Sequence, residues 1–210
     1  PRKVYAAPAN YMAHRAEMEG NQWGGQHHAT GDGGEFGMFL KSPASVSGPN
    51  DKILLPYGQQ RVNHHESELV MVMGKGGSSI PRDKALDHVF GYTCGLDITV
   101  RGPEDRSKRK SFDTFSPIGP YIVTADEVDN PGNLEVSLWV NEELRQHAFT
   151  SDLIVDCPTL IANMSSVSRM EPGDLLFTGT PDGVGPITDG DLVTISISQV
   201  GEMSVSVADR

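Results

Sequence analysis

The stretch "HHESELVMVMG" (64–74) places two carboxylates, Glu66 and Glu68, just behind two histidines and directly ahead of an apolar run. Leu, Val and Met closed by a Gly read as a strand going into a core, so the acids stand at the threshold of the interior. The same texture recurs along the chain. "KILLP" (52–56), "YTCGLDITV" (92–100), "YIVTA" (121–125), "LEVSLWVN" (134–141) and "DLVTISISQV" (191–200) are rich in Val, Ile, Thr and aromatics. In "LEVSLWVN" the residues Leu134, Val136, Leu138 and Val140 alternate with more polar ones, as Val193, Ile195 and Ile197 do near the C-terminus. That period of two belongs to half-buried strands.

Helices are fewer. "ANYMAHRAEMEG" (9–20) holds helix formers and ends at Gly. "PRDKALDHVFG" (81–91) has Pro in the first turn and stops at Gly91, and "DCPTLIANMSSV" (156–167) offers Asp156 as a cap with apolar residues at helical spacing. Between these elements 23 Gly and 14 Pro punctuate many short segments. The pattern predicts an α+β fold that is mainly β, in one domain covering 1–210, with a loop or lid over about 10–37. The chain begins at Pro1 without an initiator Met, and the strand pattern is under way within a few residues. A missing N-terminal segment is therefore expected.

Composition excludes some classes of function. A net charge of −11 argues against a nucleic-acid partner, because phosphate recognition shows as a basic excess. No apolar run approaches the roughly 20 residues that span a bilayer, so no membrane role is expected. Cys94 and Cys157 lie in apolar sequence outside any CxxC arrangement and read as reduced, buried and cytoplasmic. "RSKRK" (106–110) reads as a local, solvated basic feature of an acidic protein.

If 64–70 is a strand, Glu66 and Glu68 share a face, roughly 6–7 Å apart at Cα. Like charges this close and partly buried repel and lose hydration, so a cation must lie between them or one must hold a proton. The competing reading is a solvated strand face. Against it stands Asp97, a third acid inside the otherwise apolar "GYTCGLDITV" (91–100), where an unexplained carboxylate is unfavourable. Three carboxylates form an all-oxygen site for a hard divalent ion, Mg²⁺ or Mn²⁺, with Ca²⁺ as a substitute. His64 and His65 read as packing or supporting residues, since nitrogen is not what Mg²⁺ prefers.

Six blocks then carry a resemblance: "NYMAHRAEM" (10–18), "FLKSPAS" (39–45), "HHESELVMVMGK" (64–75), "GYTCGLDITVR" (91–101), "KSFDTFSPIGP" (110–120) and "EPGDLLFTGTPDGVGP" (171–186). In order and spacing the chain resembles the fumarylacetoacetate hydrolase superfamily, within it the acylpyruvase, oxaloacetate decarboxylase and 2-hydroxyhepta-2,4-diene-1,7-dioate isomerase type. The resemblance implies a mixed β-roll with few short helices, assembled as a homodimer. It places the metal ligands on Glu66, Glu68 and Asp97. It puts catalytic positions on Arg101 and Lys110, and a water-activating lid dyad on His14 and Glu17. Thr180 falls on a position that holds the substrate's carboxylate, and Lys41 on a lysine near the pocket with a structural role as the alternative. The plainer readings are a surface histidine for His14, a solvated basic run for Lys110 and turn chemistry in "GTPDG" for Thr180. His27 and His28 read as decoration of a long loop.

The implied substrate is a 2-keto acid that chelates the cation through a carboxylate and its keto oxygen. The implied reaction is hydrolysis of the C–C bond of an acylpyruvate, the pyruvate enolate being stabilised by positive charge. Decarboxylation of oxaloacetate, isomerisation of a dienedioate and a catalytically silent keto-acid-binding subunit are the alternatives. Two departures bear on the substrate. Glu104 stands where many relatives have Gln, which predicts an extra negative charge near the pocket, and the stretch 20–37 is longer than is common.

Overall fold

Every residue of the central strand is buried because the apolar run after Glu68 has a hydrophobic cluster on each side. The computed structural model of the chain describes residues 1–19 and 37–210. The rest of the expected lid, with His27 and His28, lies outside the described residues. The first half contains β1 (Val4–Ala6), α1 (Met12–Glu19), β2 (Phe39–Lys41), β3 (Val46–Ser47), β4 (Ile53–Leu55) and β5 (Asn63–His65). These lead into β6 (Ser67–Met73), β7 (Val89–Leu96), β8 (Thr99–Val100), α2 (Arg106–Arg109) and β9 (Ser116–Thr124). The second half comprises β10 (Glu135–Val140), β11 (Glu143–Phe149), α3 (Cys157–Val167), β12 (Leu175–Phe177), β13 (Gly185–Ile187), β14 (Leu192–Ile197) and β15 (Gly201–Asp209).

The strands form one sheet in the order β2-β1-β12-β6-β7-β9-β3, a second in the order β11-β10-β14-β15-β4, and a small one in the order β13-β5-β8. The first two face each other, with β10 on β6 and both β14 and β15 on β7. Leu69, Met71, Cys94 and Leu96 meet Val136, Leu138, Ile195 and Val205 in the core between them. The alternate residues of β6, Val70 and Val72, pack on the other side with Val4, Ala6, Phe39 and Phe177. Glu68 shares the parity of Val70 and Val72, so it opens onto this outer side. Opposite Glu68 in the β6–β7 pairing stands Gly95, where a Cβ would lie 2.3 Å from Val70 Cγ2. Only Gly lets the two strands close there.

Two predicted runs differ from the structure in an informative way. The strand expected over 64–70 breaks at Glu66, β5 leaving for the small sheet while β6 stays in the large one. The run 92–100 breaks at Asp97 and Ile98 between β7 and β8. The breaks face each other, since Asp97 N–H donates to Glu66 O at 2.8 Å.

The helix expected over 81–91 is instead a 3₁₀ segment at Arg82–His88. Ala85 is its one buried residue, so no apolar stripe draws a full α-helix against the core. α3 follows the prediction, with Asp156 accepting from Thr159 N–H at 3.0 Å and Leu160, Ile161 and Met164 buried. α1 begins at Met12 after Asn10, whose side chain bonds Val155 on both its N–H and C=O and also Thr178 O. Cys94 and Cys157 are free and buried, and burial pushes both thiols up to about 12. Among the described residues no helix is long and apolar enough to cross a membrane.

Candidate active site

The breaks at Glu66 and Asp97 bring three carboxylates together on the outer side of the large sheet. Glu66, Glu68 and Asp97 each offer one oxygen, all within 4.8 Å of one another, and all three residues are buried. Each acid is anchored from outside the cluster. Glu68 Oε2 accepts from Gly179 N–H at 2.6 Å. Glu66 Oε1 accepts from Thr99 Oγ1 at 3.1 Å, with Arg101 Nη2 3.5 Å away. Asp97 Oδ1 accepts from Lys41 Nζ at 2.5 Å. The Lys110 ammonium bridges the other two oxygens, 2.7 Å from Glu66 Oε2 and 2.7 Å from Asp97 Oδ2.

The electrostatics divide the acids. Burial works against the Glu66 carboxylate, but Lys110 and Arg101 beside it hold its carboxyl well below the usual range. Glu68 has no such neighbour of equal weight, and burial followed by the nearby Asp97 pushes its carboxyl well above that range. An oxygen-only set of three buried acids, one of them under-compensated, fits a hard divalent cation. The histidines have other tasks. Arg101 Nε donates to His64 Nδ1 at 3.0 Å, and burial with Arg101 holds His64 down to about 3. His65 lies beside Gln146 Oε1 at 3.2 Å, and burial holds it down to about 4. Both are therefore neutral near pH 7.

Facing the acids is α1. His14 Nδ1 lies 2.9 Å from Glu17 Oε2, and Glu17 Oε1 accepts from Gly183 N–H at 3.0 Å. A carboxylate can only accept, so the neutral ring carries its proton on Nδ1 and leaves Nε2 as an acceptor. His14, Glu66, Glu68, Asp97, Arg101, Lys110 and Thr180 line one cavity. Lys41 is not among its lining residues. It is fully buried behind Asp97, with its ammonium also donating to Phe115 O at 2.8 Å, so it holds that acid in place.

The cavity contains residues that the sequence reading passed over. Arg106 and Arg109 line it from α2, together with Phe39 from β2. Asp105 caps α2 by accepting from Lys108 N–H, and the helical spacing turns Arg106 and Arg109 inward while Ser107 and Lys108 stay exposed. Arg106 lies over the Phe39 ring at 5.2 Å, and burial lowers the pKa of both arginines. The "RSKRK" cluster is thus only half solvated. The signal was present in "DRSKR", an N-cap followed by Arg at i and i+3. Glu104 is not among the residues lining the cavity, although its charge acts on Arg109, which is. Arg61 clasps Glu104 through two bonds of 2.8 and 2.7 Å, which hold its carboxyl down to about 2.

Gln146 was also missed. It reaches from β11 to donate to Thr180 Oγ1 at 2.9 Å and Pro181 O at 2.9 Å, while its Oε1 accepts from Ser67 N–H at 3.0 Å.

Residues 3–208 match the family model described as fumarylacetoacetate (FAA) hydrolase C-terminal. The maleylpyruvate hydrolase of Aquipseudomonas alcaligenes is 43% identical over 209 residues, 99% of this chain and 72% of that protein. The crystal structure of maleylpyruvate hydrolase from Sphingobium sp. SYK-6 in complex with manganese(II) ion and pyruvate is similar over 100% of this chain and 71% of that one, with 47% identity and a TM-score of 0.85. The 2-hydroxyhepta-2,4-diene-1,7-dioate isomerase of Mycobacterium marinum is similar over 100% of this chain and 75% of that one, with 34% identity and a TM-score of 0.85.

Proposed function

The chain belongs to the fumarylacetoacetate hydrolase C-terminal family, and on that premise we propose that it hydrolyses the C–C bond of an acylpyruvate whose tail carries a second carboxylate. The whole chain is read as one catalytic domain. The observation that carries the reaction is the placement of the His14–Glu17 pair on the cavity that also holds Glu66, Glu68 and Asp97. Manganese or magnesium held by those three acids would supply a Lewis acid for the 2-keto acid. That reading is supported by the manganese and pyruvate named for the similar Sphingobium structure.

The protein's own groups do the rest. Thr180 and Arg101 bind the pyruvyl carboxylate. His14 Nε2 takes a proton from water, and Glu17 steadies the imidazolium that forms. The hydroxide adds to the acyl carbonyl, and the bond between that carbon and the pyruvyl methylene breaks. The acyl carbon leaves in the tail acid, while the electron pair passes to the pyruvyl fragment as its enolate. Lys110 and Arg101 add positive charge there, and the proton that His14 took from water passes to the methylene, which gives pyruvate and restores the neutral imidazole.

The tail assignment rests on charge. Arg106 and Arg109 line the same wall from α2 and add positive charge beside Arg101 and Lys110. A tail ending in a carboxylate matches them, as the maleyl group named for the Aquipseudomonas relative would.

A second reading, proton shuffling without an attacking water, is favoured by the likeness to the Mycobacterium isomerase. It covers isomerisation of a dienedioate; decarboxylation of oxaloacetate, which also needs no attacking water, loses CO₂ and leaves its electron pair in the same pyruvate enolate. Assembly as a homodimer belongs to the proposal, with Phe90, Tyr121 and Ile122 left exposed on neighbouring strands β7 and β9. So does a cytoplasmic setting, which suits two free thiols.

The test is a panel of acetylpyruvate, maleylpyruvate, oxaloacetate and a dienedioate with Mn²⁺ or Mg²⁺. One pyruvate and one tail acid per acylpyruvate, formed faster from the diacid, supports hydrolysis. A spectral change without pyruvate from the dienedioate, or CO₂ from oxaloacetate, with acylpyruvates untouched, supports the second reading. Binding of all four without change leaves a silent binding protein.

A further inference from the structure

We infer that Gln146, which does not line the cavity, sets the direction in which the Thr180 hydroxyl points and so makes it a donor toward the substrate's carboxylate. The inference rests on the assignment of Thr180 to that carboxylate. Gln146 is 1% exposed, and its amide lies between groups of fixed hydrogen-bonding sense. Ser67 N–H can only donate, so the atom 3.0 Å from it must be the amide oxygen. Pro181 O can only accept, so the atom 2.9 Å from it must be the amide nitrogen. His65 Nδ1, 3.2 Å from the amide oxygen, agrees when it carries the ring proton.

The amide therefore cannot flip. One of its N–H groups goes to Pro181 O, and the other to Thr180 Oγ1 at 2.9 Å. A hydroxyl that accepts this bond keeps its own proton to give. Thr180 lines the cavity, and among the described residues its hydroxyl has no second protein partner, so the proton is directed at the bound anion. A threonine without this support could turn its lone pairs to the cavity and repel a carboxylate. Gln146 also ties together Ser67, between the two metal-binding glutamates, and the 180–182 turn, so one strand of the second sheet aligns both halves of the site. It is a positioning residue.

Gln146→Glu keeps the shape and reverses the sense. The carboxylate still accepts from Ser67 N–H and now also accepts from Thr180, whose lone pairs then face the substrate, while the bond to Pro181 O is lost. Oxalate, a mimic of the pyruvate enolate, is titrated into the Mn²⁺-loaded protein, and KM and kcat are measured with acylpyruvate. Gln146→Glu should weaken oxalate and raise KM about 10- to 100-fold, with kcat much less affected and Mn²⁺ affinity unchanged. Gln146→Met adds no buried charge and should weaken oxalate about 3- to 10-fold. In a Thr180→Val background either change should do almost nothing more.

If Thr180→Val leaves oxalate binding intact, the carboxylate assignment falls and this inference falls with it. If Thr180→Val weakens oxalate but neither Gln146 variant does, the inference alone is overturned. Additive losses in the double variants, or a parallel loss of Mn²⁺ affinity, would overturn it by showing a merely structural role.

Discussion

Replacing Glu68 by Gln should make the metal-free protein more stable while abolishing its response to metal. Glu68 is buried, and the metal-free carboxyl is pushed well above its ordinary range by burial and by Asp97. The Gln oxygen can keep the bond from Gly179 N–H, and its new NH₂ lies among acids that can accept from it. A raised folded-state pKa means that the folded chain binds the proton more tightly than the unfolded one. Wild-type stability is therefore intact below about pH 4.5, the ordinary carboxyl value, and declines as pH rises toward the shifted one. The Gln variant has no such decline. Each pKa unit corresponds to about 1.4 kcal/mol, and for a chain of this size 1 kcal/mol moves Tm by about 2–4 °C. In EDTA at pH 8 the variant should thus melt at least a few degrees above wild type. Mn²⁺ at a hundred times its Kd should add about 2.7 kcal/mol to wild type, a rise of about 5–10 °C, and almost nothing to the variant. Thermal scans with Mn²⁺ or EDTA at pH 5 and pH 8 decide it. A variant that melts below wild type in EDTA at pH 8, or keeps the full manganese shift, refutes the reasoning.

Other perturbations separate the remaining parts. His14→Ala should slow acylpyruvate hydrolysis by about 10²–10⁴-fold and oxaloacetate decarboxylation far less; equal losses would remove the dyad as the water activator. Changing Arg106 and Arg109 to Met should raise KM for maleylpyruvate about 10-fold or more while leaving acetylpyruvate nearly unaffected, and a uniform loss on both substrates would argue against a tail site. Gly95→Ala forces a Cβ to within 2.3 Å of Val70, so calorimetry should show a loss of about 1–3 kcal/mol. A neutral result would mean the strand pair is not held that closely.

The acidic cluster was legible because an acid inside an apolar run needs a physical reason, and Asp97 in "GLDITV" stands out on that ground alone. The half-buried strands β10 and β14 were legible in their alternation. The strand breaks at Glu66 and Asp97 were not, because periodicity marks a strand but not its departure from one sheet to another. Arg106 and Arg109 share a helical face by the cap at Asp105 and their i, i+3 spacing, but that signal does not say that the face turns inward. Lys41 shares a strand face with Phe39, yet Phe39 borders the cavity while Lys41 lies behind Asp97. Gln146 sits in an ordinary-looking strand, with partners 34 and 79 residues away, and only the folded chain shows what it orients. The roles proposed for His14, Glu17 and Thr180 came from the resemblance, not from spacing.

The proposed chemistry needs a divalent ion among three acids that Lys110 already borders. A crystal grown with Mn²⁺ and oxalate, measured at the manganese absorption edge, tests this directly. The expected result is one anomalous peak ligated by Glu66, Glu68 and Asp97, with oxalate between the ion and Thr180. A map without a peak there, in which the Lys110 ammonium alone bridges Glu66 and Asp97, would contradict it.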